Sequence, residues 1–243
     1  MVRRGRRGLA WQGWAWQGRA GMETTVRNER TEGRMNMETI KLKPIKKQLV
    51  TLKIKSTSPL IQHAWDAKAR EMMLAKMQGK KTKERAIRVP QEDASAATYL
   101  TSDGKYCIPG MALKSAIITA AHKDLGVDKV LVRKALFLKC TATDAAGGMP
   151  MIPIITDDPI MREDCVRVGM GSTDLRYRPQ FNSWTAQVTF EIDAELLQPG
   201  DLITLINRAG FGVGVGEWRP EKDGEFGRFE VDMSEDVQVV NLL

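Results

Sequence analysis

The chain has 243 residues and is 42% hydrophobic, so it can bury a core and is too apolar for a disordered protein. It contains no apolar run near the roughly 18–20 residues that a membrane-spanning helix needs. Its net charge of +7 is unevenly spread, because residues 41–88 carry fourteen Lys and Arg against three acidic residues, and residues 89–243 carry fifteen against twenty-three. This separation favours a polyanion-binding region and head-to-tail association between copies.

Cysteine and histidine are scarce and scattered. Cys107, Cys140 and Cys165 lie far apart without metal-ligand spacing, and His63 and His122 are the only histidines. This pattern is typical of a reducing compartment and argues against a disulfide framework or a zinc site. We therefore expect a cytoplasmic protein that holds no metal ion and no cofactor.

The first 36 residues differ in composition from the remainder. Residues 1–36 are rich in Arg, Gly and Trp and show no apolar periodicity. We expect them to form a disordered basic leader, with residues 37–243 as a single domain. An arm that binds nucleic acid through Arg and Trp is the alternative for this segment.

A half-buried strand is predicted over residues 48–55. Val50, Leu52 and Ile54 alternate with polar residues, so Lys53 and Lys55 lie on a cationic outer face. A helix is predicted over residues 63–78 because this stretch is dense in Ala, Met, Lys, Arg and Glu. A basic loop follows the helix and contains Lys80, Lys81, Lys83, Arg85 and Arg88.

The next elements are marked by turn and cap residues. Asp103-Gly104 predicts a tight hairpin turn, and Pro109 predicts the start of a helix that ends before Gly126. A strand is predicted around residues 135–141, after a short helical turn. Residues 150–158 predict a loop or a short edge strand, because prolines interrupt them.

The last third of the chain predicts a strand, a helix and a final strand. Residues 184–192 alternate cleanly between apolar and polar side chains. Residues 201–209 carry one apolar face, which predicts a helix closed by Gly210. After a glycine-rich run, residues 226–233 predict the last strand.

The order of these elements predicts an α+β fold with a ferredoxin-like βαββαβ core. Long insertions follow the first and second strands. The predicted core covers residues 48–56, 109–141 and 183–233, the basic insertion covers residues 57–108, and the second insertion covers residues 142–182.

Three motifs lie at defined places in this order. Ser58-Pro59-Leu60 follows the first strand, Ile108-Pro109-Gly110 and Leu113-Lys114 open the first core helix, and Gly210, Gly212, Gly214 and Gly216 precede the last strand. With these motifs the chain resembles the RAMP (repeat-associated mysterious protein) superfamily of CRISPR systems, and most closely its effector-complex backbone subunits. It departs from the family pattern at Ser115, where the family usually has glycine.

The resemblance implies a non-catalytic protein of antiviral defence that binds single-stranded RNA, such as a guide RNA, and assembles head-to-tail along it. Single-stranded DNA is the alternative ligand, and other effector-complex subunits are further expected partners. The residues themselves suggest phosphate contacts at a helix start, at a glycine-rich loop and in a groove that mixes cations with aromatic rings. The candidate nucleic-acid-binding residues are Lys53, Lys55, Lys80, Lys81, Lys83, Arg85, Arg88, Lys114, Arg176, Arg178, Gly212, Gly214 and Gly216.

Two other functions remain open on the sequence. The first is a ribonuclease of the same fold, for which His63, Asp66 and His122 are the candidate catalytic residues. The second is a phage or mobile-element protein that mimics a CRISPR subunit and binds no nucleic acid of its own.

Overall fold

The structure is a computed structural model that describes residues 44–65, 67–79, 88–144, 148–168 and 171–242. The predicted leader lies outside these ranges, as do Asp66, Lys80, Lys81, Lys83 and Arg85.

The described residues form twelve strands and five α-helices. The strands are β1 (Lys47–Ser56), β2 (Leu60–Ile61), β3 (Cys107–Pro109), β4 (Leu136–Lys139), β5 (Ala142–Thr143), β6 (Pro150–Pro153), β7 (Ile155–Thr156), β8 (Ile160–Val168), β9 (Ser172–Phe181), β10 (Trp184–Asp193), β11 (Phe229–Val231) and β12 (Gln238–Asn241). The α-helices are α1 (Ala67–Met77), α2 (Pro90–Ala96), α3 (Gly110–Leu125), α4 (Lys129–Ala135) and α5 (Pro199–Gly212).

The main sheet is antiparallel and is built around β1. Its strand order is β11-β1-β10-β4, with β12 paired to the first half of β1 and β7 paired to the start of β10. The register places Val50 opposite Phe190 and Leu52 opposite Val188. Because side chains alternate across a strand, these apolar residues share one face, and all four are buried.

Helices α3 and α5 pack against each other over this apolar face. As predicted, α3 begins directly after Pro109 and ends at Gly126, whose φ of +68° forms a left-handed cap. A capping box between Gln198 and Asp201 begins α5. Along the chain this layer runs β1, α3, β4, β10, α5, β11, and the predicted α+β class is confirmed.

The predicted boundaries of the last helix and strand were wrong. Gly210 does not close α5, which continues to Gly212. A Cβ at Gly210 would overlap the carbonyl oxygen of Phe229, so this glycine lets the helix lie directly on β11. The final strand shrinks to Phe229–Val231, and the chain then turns and returns to the sheet as β12.

The second insertion holds more structure than the sequence predicted. Strands β8 and β9 form a long hairpin, and β2 pairs with its inner strand. The sequence did not predict this hairpin, because charged residues interrupt its alternation. β6 was predicted as a loop or an edge strand, but it is the central strand of a small β3-β6-β5 sheet. A central strand can hold these prolines because Pro150 and Pro153 are its first and last residues.

Candidate nucleic-acid interface

The glycine-rich loop after α5 packs closely against the turn that follows β1. Gly214 and Gly216 have φ values of +72° and +80°, and a Cβ at Gly216 would overlap the carbonyl oxygen of Ile61. The amide of Glu217 donates to that same oxygen at 2.9 Å, and the amide of Gly227 donates to Pro59 O at 2.7 Å. Two of the three motifs, the Ser58-Pro59-Leu60 turn and the glycine-rich run, therefore lie in contact.

This packing gives the loop glycines a structural role. The amide of Gly214 donates to Ala209 O, which belongs to α5, so it is engaged within the protein. Gly212 is the last residue of the helix, and a Cβ there would have ordinary van der Waals distance to Asp124. The predicted contact of Gly212, Gly214 and Gly216 with a phosphate chain stays a prediction.

Arg176 and Arg178 lie on the same face of β9 but differ in exposure. Arg178 is only 1% exposed, and its guanidinium lies 3.5 Å from the Asp164 carboxylate on β8. Its Nε and one terminal nitrogen have no hydrogen-bond partner among the described residues, and burial lowers the pKa of Arg178. Arg176 lies nearer the surface, so of the two it is the one placed to meet a strand.

His63 lies in the loop after β2, close to this arginine pair. Burial and then the positive charges of Arg178 and Arg176 lower the pKa of His63, while the charge of Glu217 partly offsets them. The imidazole is therefore neutral near pH 7 and could accept a proton. His122 lies elsewhere, near the C-terminal end of α3, where its Nδ1 is 3.2 Å from Val127 O.

The outer face of β1 is cationic, as predicted, but acidic residues of the C-terminal segment neutralise it. Lys53 Nζ lies 2.8 Å from Glu235, and Lys55 Nζ lies 3.4 Å from Asp232 and 3.5 Å from Glu230. The hydrogen bond to Glu235 raises the pKa of Lys53, and the hydrogen bond to Asp232 raises the pKa of Lys55. Both lysines are charged, yet each already has an anionic partner.

Arg88 is engaged in the same way. Its guanidinium contacts Asp93 at 2.8 Å and Asp174 at 2.9 Å, joining the start of α2 to the β8–β9 hairpin. The hydrogen bond to Asp93 raises the pKa of Arg88. This residue therefore fixes the hairpin against α2 in addition to any role in binding.

Exposed aromatic rings lie beneath cations at several points of the surface. Lys114 Nζ lies 4.7 Å from the centre of the Phe137 ring, joining α3 to β4, and burial lowers the pKa of Lys114. Each pair of this kind combines a ring face with a positive charge. The others are Arg70 over Trp65 at 5.6 Å, Arg162 over Phe226 at 4.8 Å, and Arg228 over Phe211 at 5.0 Å.

Sequence reasoning identified Lys114 and overlooked the partners of the other pairs. Trp65, Phe137 and Phe211 are 57%, 49% and 72% exposed, which is unusual for such large apolar side chains. The sequence gives little signal for these pairs, since each cation comes from a different element or turn than its ring: Arg70 from α1, Lys114 from α3 and Arg228 from the residue before β11.

Two features were not found in the described part of the chain. No group of three or more His, Cys, Asp or Glu side chains within it is arranged to hold a metal ion. None of its helices is long and apolar enough to cross a membrane.

No protein-family model matches the chain, and no curated protein matches it. Among solved structures it is similar to a chain in a structure described as the "Cryo-EM structure of the Type III-B Cmr-beta bound to cognate target RNA". The two are 10% identical with a TM-score of 0.41, and the match covers 80% of this chain and 61% of that one. A similarity at this level assigns neither a family nor a function to the protein.

Proposed function

We propose that the protein binds single-stranded RNA along its surface without cleaving it. The observation that carries the proposal is the pairing of exposed aromatic rings with cations, at Trp65, Phe137 and Phe211. Single-strand binding proteins use such rings to stack bases and such cations to hold the backbone. A base that stacks on an aromatic side chain contributes about 1–3 kcal/mol to binding.

We further propose that the fold is ferredoxin-like and that the protein is a divergent relative of the RAMP superfamily. The support is internal to the chain: the strand order β11-β1-β10-β4, the helix pair α3 and α5 on one face, and the Ser58-Pro59-Leu60 and Ile108-Pro109-Gly110 motifs. The contact between the glycine loop and the turn after β1 links two of the motifs that define the resemblance.

In this proposal, copies of the protein assemble head-to-tail along the RNA, in a complex that includes other subunits. The charge asymmetry between residues 41–88 and residues 89–243 supports this arrangement, since a basic region of one copy can face an acidic region of the next. RNA then acts as the common scaffold.

Fluorescence anisotropy with a labelled oligouridylate tests the binding proposal. We expect binding at low salt that weakens steeply as salt is added, with a weaker response to an RNA duplex, whose bases are already stacked. Trp65→Ala and Phe137→Ala should each reduce affinity, and Ile155→Ala, which removes an exposed aliphatic side chain on β7, should not. No binding at low salt would contradict the proposal.

A ribonuclease is the second candidate, because His63 combines a lowered pKa with a neighbouring, more exposed arginine, Arg176, whose charge would stabilise a phosphorane-like transition state. Incubating the bound oligonucleotide and resolving it on a denaturing gel separates the two functions. Cleavage that disappears in His63→Ala while affinity is retained would favour the ribonuclease.

A further inference from the structure

A groove lies between α5 and the end of the main sheet. Its volume is about 490 Å³, which falls in the range of small-molecule sites. Its lining includes the apolar side chains of Phe211 on α5, Val231 on β11 and Met233. Lys55 and Arg228 bring positive charge to the lining.

The position of the aromatic wall is fixed by helix packing. α5 lies directly on β11 because Gly210 carries no Cβ, and Phe211 follows immediately, so its ring is held at the groove while 72% of it stays exposed. Asn207, one turn earlier on α5, accepts a hydrogen bond from the Val231 amide at 2.8 Å. This bond occupies the Val231 amide, so that donor is not free to pair with an incoming β-strand.

Arg228 is held in place through its backbone, and Nη1 of its side chain lies 3.9 Å from the exposed carboxylate of Glu225. Its amide donates to Ser58 Oγ at 3.0 Å, and its carbonyl accepts from the Thr57 amide at 3.0 Å. The guanidinium lies 5.0 Å from the centre of the Phe211 ring, and its Nε has no hydrogen-bond partner among the described residues. Because Nε is buried, a phosphate attached to a base stacked on the exposed ring would be bound by the terminal nitrogens, in place of the distant Glu225 carboxylate.

We infer that this groove is a nucleotide subsite, in which one unpaired RNA base stacks on Phe211 and its phosphate is bound by Arg228 and Lys55. The inference rests on the proposed function and assigns one nucleotide of the strand to a defined place. Glu230 also lines the groove, 3.5 Å from Lys55, so its carboxylate opposes the phosphate.

Two substitutions with opposite expected effects test the subsite in the full chain. Phe211→Ala should weaken binding of an oligouridylate by about 5-fold to 150-fold, which corresponds to the loss of one stacked base. Glu230→Gln should strengthen binding, because it removes an anion from the groove. Val130→Ala, which shortens an exposed side chain on α4, is the control and should leave affinity unchanged.

Photocrosslinking locates the contact independently of affinity. An oligouridylate containing 5-iodouridine should crosslink to the peptide that carries Phe211, and the yield should fall in Phe211→Ala. Unchanged affinity in Phe211→Ala, together with crosslinks only to other peptides, would overturn the subsite while leaving RNA binding intact. Failure of the unaltered chain to bind RNA would overturn both the subsite and the proposed function.

Discussion

Lys53 and Glu235 form an ion pair across the outer face of the main sheet, with 2.8 Å between Nζ and Oε1. Together with the contact between Lys55 and Asp232, this pair places the acidic C-terminal segment over the cations that the sequence assigned to nucleic acid. In the proposed complex with RNA, phosphates would have to displace this segment from the two lysines.

The first prediction follows from this competition. Replacing Asp232 and Glu235 by Asn and Gln should increase affinity for single-stranded RNA, because Lys53 and Lys55 lose their intramolecular partners. The salt dependence of binding should become steeper, since more phosphates are neutralised. Anisotropy titrations over a range of salt concentrations measure both effects. Asp223→Asn combined with Asp124→Asn also removes two exposed negative charges, away from these lysines, and an equal gain in that variant would refute the competition.

The second prediction concerns the contact of α5 with β11. Gly210→Ala should destabilise the protein by about 3 kcal/mol, because the new methyl group overlaps the Phe229 carbonyl oxygen. Gly212→Ala, two residues later, should change the free energy of unfolding by less than about 1 kcal/mol, since its nearest neighbour is 3.7 Å away. Urea denaturation followed by circular dichroism compares the two. Equal stability of both variants would show that the helix can move off the strand.

The third prediction concerns pH. The pKa of His63 is below its ordinary value of 6.5, so the folded state favours the neutral ring. Its contribution to stability is complete above about pH 6.5 and is lost as the pH falls through the folded pKa. His63→Gln should therefore lose less stability than the unaltered protein between about pH 7.5 and about pH 5. Parallel losses in denaturation experiments at the two pH values would contradict the proposed environment of His63.

The fourth prediction orders the cysteines by reactivity. Cys165 is exposed, whereas Cys107 is fully buried and burial raises its pKa to about 12. Iodoacetamide should modify Cys165 first and Cys107 only after denaturation, because the thiolate is the reactive form. Peptide mass spectrometry after timed labelling gives the order. Early modification of Cys107 would show that β3 is not packed as described.

The fifth prediction tests assembly along RNA. If copies bind head-to-tail, the mass of the complex should grow in steps of one subunit as the oligonucleotide is lengthened. Native mass spectrometry over a series of lengths measures the steps. A constant stoichiometry at every length would instead indicate a discrete binding module.

The sequence predicted those parts of the fold in which side-chain periodicity is regular. β1 and β10 alternate cleanly, and α3 is bounded by Pro109 and Gly126, so these elements were predicted nearly in place. The β8–β9 hairpin was not predicted, because charged residues occupy phases that an apolar alternation would need. β12 was not predicted either, because its two valines are adjacent and do not alternate with polar residues. Their positions are set by pairing with strands already in the sheet.

The candidate site was less accessible to sequence reasoning than the fold. Lys114 was predicted from its place near a helix start, but the ring beneath it, Phe137, belongs to a strand that follows another helix. Arg178 was predicted to contact nucleic acid because it lies in a stretch that mixes cations with aromatic residues, whereas in the structure it is 1% exposed and lies beside Asp164 of β8. Contacts between segments that are distant in sequence determine both the pairing of Lys114 with Phe137 and the burial of Arg178.

The pairing of β1 has a consequence for how the protein is made. The strand Lys47–Ser56 is synthesised early, and its partners β10, β11 and β12 begin at Trp184 or later. During translation both edges of β1 therefore lack these partners until more than 120 further residues have been added. Such distant contacts slow folding and leave apolar strand surface exposed on the nascent chain. β1 is thus synthesised well before its pairing partners, and this delay gives a chaperone time to bind the unpaired strand.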